Sequence, residues 1–159
     1  MFAQFEEQIK NTQPDTTKEK RFHFISAAEL CERRSPDNFL IKPYIENDSV
    51  IVTFGESGSG KSFVGIDIAL CIASKTPWHG HTINKSGPVF YIAGEGYAGI
   101  IRRIAAHAKH HGYSMADLPF FVSDRPARIV EKDSIKSIQT AIDELAHTHD
   151  QPVLIIIDT

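Results

Sequence analysis

The chain has 159 residues, of which 42% are hydrophobic and 23% are charged, and its formal net charge is -3. This composition is typical of one globular domain and excludes both a disordered chain and a pair of full domains. The small negative charge excludes a protein that coats nucleic acid or anionic membranes by bulk charge, and two cysteines are too few for a disulfide framework, which favours the cytoplasm.

The first 48 residues carry weaker structural signals than the rest. Residues 1–21 are polar and lack the long apolar run of a secretory signal, so we expect a mobile N-terminal segment. Residues 22–48 are expected to form a lead-in helix and a short strand, because Ser26-Ala-Ala-Glu29 fits a capping box at a helix start. No apolar run in the chain is long enough to span a membrane.

From residue 49 onward, strand and helix patterns alternate. The β-branched run 49–54 predicts a first strand, and residues 61 to about 74 predict a helix that is apolar almost all round and therefore buried. Further strands are predicted at 87–93, 119–122 and 151–158, and amphipathic helices at 97–111 and 134–147. This alternation predicts an α/β fold, in which a mostly parallel sheet carries helices on both faces.

Residues 55–62 carry the complete phosphate-loop pattern G-x-x-x-x-G-K-[ST] between a predicted strand and a predicted helix. Its small residues let backbone N–H groups converge on phosphate oxygens, and the helix N-terminus adds a partial positive charge. Lys61 would reach the β- and γ-phosphates, and the Ser62 hydroxyl would coordinate Mg²⁺. The predicted nucleotide-binding residues are Gly55, Glu56, Ser57, Gly58, Ser59, Gly60, Lys61, Ser62 and Phe63.

Two carboxylates follow predicted strands at the sheet edge where α/β folds bind ligands. An apolar run ends in Asp158, which is the Walker B pattern of a carboxylate that holds the Mg²⁺ shell; many buried strands also end in an ordinary loop aspartate. Glu95 lies between Gly94 and Gly96 after the second strand. It could polarise the attacking water as a general base, or it could be a surface glutamate in a glycine turn.

Several further motifs surround the phosphate loop. They are Pro77-Trp-His-Gly80, residues 86–96, Arg102-Arg103 and His110-His-Gly112. With the loop, they resemble the RepA-type hexameric helicases of plasmids and prophages, a RecA/DnaB-like branch of the P-loop ATPases often called AAA family ATPases. The resemblance covers about residues 22–159 and implies a RecA-like P-loop NTPase fold. It also implies catalytic roles for Glu95 and Lys61, and a Walker B role for Asp158 with Mg²⁺.

The partners that this resemblance implies are ATP, single-stranded DNA and further copies of the chain in a hexameric ring. It also implies that the chain is incomplete at its C-terminus. RecA-like folds insert a further strand between the Walker B strand and the phosphate-loop strand, and no sequence for it follows Asp158. We therefore expect residues 49–159 to be the N-terminal part of a RecA-like ATPase domain.

Two other functions stay open on the sequence. A non-enzymatic module could use ATP only to control its own assembly. A small P-loop kinase would need an arginine-bearing lid over the phosphates, for which Arg125 and Arg128 are the candidates. Stimulation of ATP hydrolysis by single-stranded DNA would count against the kinase.

Five histidines and Cys71 are not interpreted as binding or catalytic residues. The histidines are His79, His81, His107, His110 and His111. Although His107 and His111 share the i, i+4 spacing of metal ligands, no cysteine lies near them in the sequence, so we interpret this cluster as a solvated helix end. Cys71 is interpreted as a small core residue.

Trp78 and the pair Arg102-Arg103 have two interpretations each. Trp78 is expected to close the loop after the first long helix, and the alternative is a contact with the nucleotide. The two arginines are expected to form surface salt bridges, and the alternative is a contact with phosphate or with a neighbouring subunit.

Overall fold

The computed structural model describes residues 24–33, 38–94, 96–128 and 130–158. The chain forms two compact units, Met1–Pro36 and Asp37–Thr159. In the first unit, helix α1 (Ala27–Glu32) begins at Ser26, whose hydroxyl accepts a hydrogen bond from the Glu29 amide at 3.1 Å. This contact is the serine half of the predicted capping box. The predicted mobile segment 1–21 lies outside the described residues.

The second unit is an α/β fold built on a three-stranded parallel sheet, as predicted. A short antiparallel hairpin precedes it, formed by β1 (Phe39–Ile41) and β2 (Ile45–Glu46). The elements that follow are α2 (Lys61–Ser74), β3 (Val89–Ala93), α3 (Tyr97–His111), a 3₁₀ turn (Met115–Asp117), β4 (Phe120–Val122), α4 (Lys132–Ala146) and β5 (Leu154–Asp158). The sheet order is β4-β3-β5, and both strand pairs are parallel.

Left-handed backbone positions mark the start of helix α2 and the end of helix α3. Gly60 caps the start of α2 with φ of 93°, and Gly112 caps the end of α3 with φ of 73°. An L side chain is disfavoured at such positive φ angles, so glycine is the natural residue at both positions. The Gly112 amide donates to the Ala108 carbonyl at 2.9 Å, which closes the last turn of α3.

Strand β3 is the centre of the sheet, and all five of its residues are buried. Its alternate residues Val89, Tyr91 and Ala93 belong to the main hydrophobic core, together with all six buried residues of α2. A Cβ at Gly65 of α2 would lie only 3.9 Å from side-chain atoms of Tyr91 and Ile156, so α2 lies close against this face.

Helix α4 covers the opposite face of the sheet. Phe90 and Phe121 on that face stack with ring centroids 5.2 Å apart. They line a cavity of about 660 Å³ together with Ile138 and Ile142 of α4. The sheet therefore carries helices on both faces, which confirms the predicted fold class.

Residues 49–54 depart from the predicted pattern. They form no strand, and the side chains of Val50, Val52 and Phe54 are 94%, 77% and 91% exposed. A β-branched run favours an extended backbone, but a strand forms only where neighbouring backbone groups accept and donate its hydrogen bonds. No described strand pairs with this segment, so the prediction of a strand at 49–54 is wrong.

Candidate nucleotide-binding site

The loop 55–62 is a tight turn that runs into the first residues of α2. Gly58 and Gly60 have φ angles of 77° and 93°, so the loop geometry depends on glycine at both positions. A Cβ at Gly55 would lie 2.9 Å from the Ser59 Oγ, which leaves no room for a side chain there unless Ser59 moves. The Ser59 amide donates to the Glu56 carbonyl at 3.2 Å and closes the turn.

The Lys61 ammonium lies against this loop at the helix start. Its Nζ donates to the carbonyl oxygens of Gly55 and Glu56, each at 2.9 Å. Helix α2 has no side-chain cap at its N-terminus. Backbone N–H groups of its first turn, which lack partners within the helix, can therefore bind an anion.

Asp158 is held in place at the end of β5. The Tyr91 hydroxyl donates to the Asp158 Oδ2 at 2.5 Å from the neighbouring strand, and the Gly94 amide donates to the Asp158 carbonyl at 2.6 Å. Burial, with the Asp158 hydrogen bond, raises the pKa of the Tyr91 phenol, so it stays a donor at neutral pH. The carboxylate therefore has a fixed orientation at the carboxyl edge of the sheet.

The fold brings Ser62 and Asp158 to one cavity of about 570 Å³, which Gly96, Arg102 and Arg103 also line. A hydroxyl and a carboxylate are oxygen ligands of the kind that Mg²⁺ prefers, so these residues fit a magnesium ion. The two arginines add positive charge, which suits an anionic ligand. Glu95, the predicted general base, lies outside the described residues.

Arg103 and Trp78 have contacts that clarify their roles. The Arg103 guanidinium carbon lies 3.9 Å from the centroid of the Phe63 ring, a cation–π contact that the sequence did not predict. The Trp78 Nε1 donates to the Asp67 Oδ2 at 2.8 Å, and its ring packs edge-on against Tyr44. These contacts support the expectation that Trp78 closes the loop after α2.

The arginines of the kinase alternative belong to a different cavity. Arg125 and Arg128 line the cavity beneath α4, which Ser62 and Asp158 do not line. Arg125 pairs with the adjacent Asp124, and Arg128 donates to Glu131 at 3.2 Å. Their placement does not favour a lid over the phosphate loop.

The interpretation of the histidines as a solvated helix end is wrong for His107. Its side chain is only 11% exposed, and its Nε2 lies 3.0 Å from the Asp67 Oδ1 of α2. Burial and the nearby His111 lower the pKa of His107, so its ring is neutral at pH 7. Burial and the nearby Asp67 raise the pKa of the Cys71 thiol to about 12.

The sequence did not predict the cluster of Asp67, Cys71 and His107, because His107 is far from the other two residues in the chain. The available signal was the i, i+4 spacing of Asp67 and Cys71, which places both on one face of α2. The partner of that face, His107, becomes evident only when α2 and α3 pack together. His110 and His111 are exposed, as expected of a helix end.

A glycine-rich loop at a helix start, opposite a strand-end aspartate, defines the class of P-loop nucleotide-binding domains. The chain belongs to the AAA domain family, whose model matches residues 14–159. Domains of this family have a P-loop NTPase fold and generally bind ATP with Mg²⁺. No curated protein and no solved structure was found to match the chain. Among the described residues, no helix has the length and apolar character needed to cross a membrane.

Proposed function

We propose that this chain binds MgATP between the loop 55–62 and Asp158 and hydrolyses it. The observation that supports this proposal best is the cavity that Ser62 and Asp158 share, because these are the two residues that the two motifs assign to Mg²⁺. Mg²⁺, when bound, would neutralise phosphate charge. The uncapped N-terminus of α2 adds backbone donors beside the same cavity.

Lys61 would exchange its present partners for the nucleotide. Its ammonium now donates to the carbonyls of Gly55 and Glu56, and phosphate oxygens would replace these neutral acceptors with charged ones. Tyr91 would act as a positioning residue, because its hydroxyl fixes the carboxylate of Asp158. The loop, Lys61, Ser62 and Asp158 would thus hold the triphosphate from several sides.

The test of the magnesium assignment is the Ser62→Ala variant. We expect it to weaken ATP binding in the presence of Mg²⁺ and to have little effect in the presence of EDTA, because the hydroxyl acts through the metal. The matched control is Ser137→Ala, because Ser137 belongs to α4 and lines the cavity beneath that helix. A Ser62→Ala variant with unchanged affinity in Mg²⁺ would count against the proposed site.

Glu95 is proposed as the general base for water. It directly follows Gly94, whose amide donates to the Asp158 carbonyl, and precedes Gly96, which lines the proposed cavity. Glu95→Gln should retain ATP affinity and lower turnover by about 10²- to 10⁴-fold, the usual contribution of general base catalysis. Unchanged turnover would contradict the catalytic role. A wild type that binds ATP without turnover would favour the non-enzymatic assembly module.

We further propose that this ATPase belongs to a RepA-type DNA helicase of plasmid or prophage type, and that it acts as a hexameric ring on single-stranded DNA. The proposal rests on the motif set around the loop and on Arg102 and Arg103 beside the cavity. Single-stranded DNA should stimulate ATP hydrolysis, and ATP should shift the sedimentation coefficient toward a larger assembly. Phosphate transfer to a small acceptor without DNA stimulation would favour the kinase.

A further inference from the structure

A second cluster of polar side chains lies along α2, beyond the phosphate loop. Asp67 and Cys71 project from one face of α2, and His107 projects toward them from α3. A carboxylate oxygen, the Cys71 Sγ and a ring nitrogen of His107 all lie within 4.8 Å of one another. The His107 Nε2 is 3.0 Å from the Asp67 Oδ1 and 3.9 Å from the Cys71 Sγ.

We propose that Asp67, Cys71 and His107 form a binding site for a borderline-soft divalent cation, with Zn²⁺ the best match. Oxygen, sulfur and nitrogen are the three ligand atoms that Zn²⁺ uses in proteins. Zinc–ligand bonds of ~2.0–2.3 Å at tetrahedral angles separate the ligand atoms by about 3.3–3.6 Å. The separations of 3.0 Å and 3.9 Å from the His107 Nε2 lie on either side of this range, so we expect side-chain rotations to close the site around an ion.

The ligands already have the outer partners that such a site needs. The Tyr113 hydroxyl lies 2.6 Å from the His107 Nδ1, and the Trp78 Nε1 donates to the Asp67 Oδ2 at 2.8 Å. When the cation takes Nε2, the ring proton resides on Nδ1 and is donated to the Tyr113 oxygen. Outer partners of this kind orient metal ligands and raise affinity.

The charges of the cluster balance a divalent cation. Cys71 is 2% exposed and Asp67 is half-buried, so an uncompensated charge would be unfavourable there. Zn²⁺ would displace the thiol proton to solvent and bind the sulfur as a thiolate. One thiolate, one carboxylate and one neutral imidazole then sum to two negative charges, which neutralise the ion.

An open groove leads to the cluster. The groove has a volume of about 900 Å³ and is lined by Asp67, Cys71 and His107, with His79 and His110 nearby on its walls. A cation can therefore reach the three ligands from this groove. Ser62 and Asp158 do not line this groove, so the proposed zinc site is separate from the proposed magnesium site.

The direct experiment is a Co²⁺ titration of the reduced full chain, since Co²⁺ takes zinc sites and gives an absorption band when bound to thiolate. We expect one equivalent of Co²⁺ to produce this band and Zn²⁺ to abolish it by competition. The control is Cys31→Ser, because Cys31 is the exposed second thiol in the other unit. The band should persist in Cys31→Ser and disappear in Cys71→Ser.

Variants of the proposed ligands and of Tyr113 test how much each residue contributes to Zn²⁺ affinity. His107→Gln should weaken Zn²⁺ binding, measured against a chromophoric chelator, by at least ~100-fold, whereas His147→Gln at the C-terminal cap of α4 should not change it. Tyr113→Phe should weaken it by about 10-fold, the low end of an outer-shell effect. Because Cys71 and His107 contribute to packing, circular dichroism should verify that each variant is folded.

Two results would overturn the proposal. The first is a Cys31→Ser protein without a thiolate band at excess Co²⁺; this test needs no change in the core. The second is Zn²⁺ affinity that persists in folded His107→Gln, which would indicate an adventitious surface site. Neither result bears on ATP binding, so failure of this site and failure of the nucleotide site are distinguishable.

Discussion

Helix α2 contributes to two candidate sites that are built in opposite ways. At its N-terminus, the loop 55–62 is contiguous in sequence, and glycine φ angles fix the backbone groups that would bind a phosphate. Along its side, Asp67 and Cys71 meet His107, which is 40 positions from Asp67 and belongs to another helix. The first site is formed by residues that are adjacent in sequence, whereas the second forms only when α2 and α3 pack together.

This difference predicts how each region responds to change. The loop should be sensitive to backbone strain and to removal of single charges, but not to the packing of α3. The cluster should be sensitive to burial and to contacts between the helices.

The largest difference should be between the alkylation rates of the two cysteine thiols. The pKa of Cys71 is raised from 9.0 to about 12, so its thiolate fraction at pH 8 is about 1000-fold below that of an ordinary thiol. The higher nucleophilicity of a high-pKa thiolate offsets part of this factor, and burial adds to it. We expect iodoacetamide, followed by peptide mass spectrometry, to modify exposed Cys31 at least ~100-fold faster than Cys71.

The control for the thiol experiment is the same reaction in denaturant, where both cysteines should react at similar rates. Equal alkylation rates of Cys31 and Cys71 in the folded protein would contradict the burial of Cys71.

Removal of the loop cation should have the next largest effect. Lys61→Ala would delete the proposed hydrogen bonds to charged phosphate, each worth about 1.5–3 kcal/mol. We expect ATP affinity to fall by about 10- to 100-fold in a fluorescence titration with a labelled ATP analogue. The matched control is Lys85→Ala at an exposed loop position. Unchanged affinity in Lys61→Ala would refute the phosphate assignment, and Co²⁺ binding should be the same in both variants.

Backbone strain should affect the loop more than the helix. Gly60→Ala places a Cβ at a φ of 93°, and we expect the free energy of unfolding to fall by about 1–2 kcal/mol. Gly99→Ala in α3 meets open space at an ordinary helical φ, and it should stabilise by about 0.5–1 kcal/mol. Urea denaturation measures both. Equal effects of the two substitutions would show that the loop geometry is not fixed as described.

The smallest effect concerns the contact that joins the two regions. The Arg103 guanidinium covers the Phe63 ring, next to Ser62 on α2. A double-mutant cycle with Phe63→Leu and Arg103→Met should give a coupling energy of about 0.5–1 kcal/mol in urea denaturation. A coupling energy of zero would mean that this pair does not contribute to the packing of α3 on α2.

Strong local signals made helices α2 and α3 predictable. The start of α2 follows from the loop pattern and the end of α3 from Gly112, and the observed bounds Lys61–Ser74 and Tyr97–His111 agree with the predicted ones. The strands β3 and β5 were predicted two or three residues too long at their N-terminal ends, because an apolar run does not show where pairing begins.

Features that depend on distant partners were not predictable. Residues 49–54 have strand composition, but no described strand pairs with them, so composition alone gave the wrong result. His107 appeared to belong to a solvated helix end, because neither Asp67 nor Cys71 is near it in sequence. The roles of Ser62 and Asp158 were proposed from two separate motifs, and their common cavity now supports the pairing.

The most direct test of the nucleotide site is the magnesium dependence of ATP binding in Asp158→Asn, measured by calorimetry. Asparagine keeps an oxygen for the Tyr91 hydroxyl but removes the charge that would hold the Mg²⁺ shell. We predict that wild type and the exposed control Asp150→Asn bind ATP more tightly with Mg²⁺, and that Asp158→Asn loses this gain. An Asp158→Asn variant with the full magnesium gain, or a wild type that does not bind ATP, would contradict the proposed MgATP site.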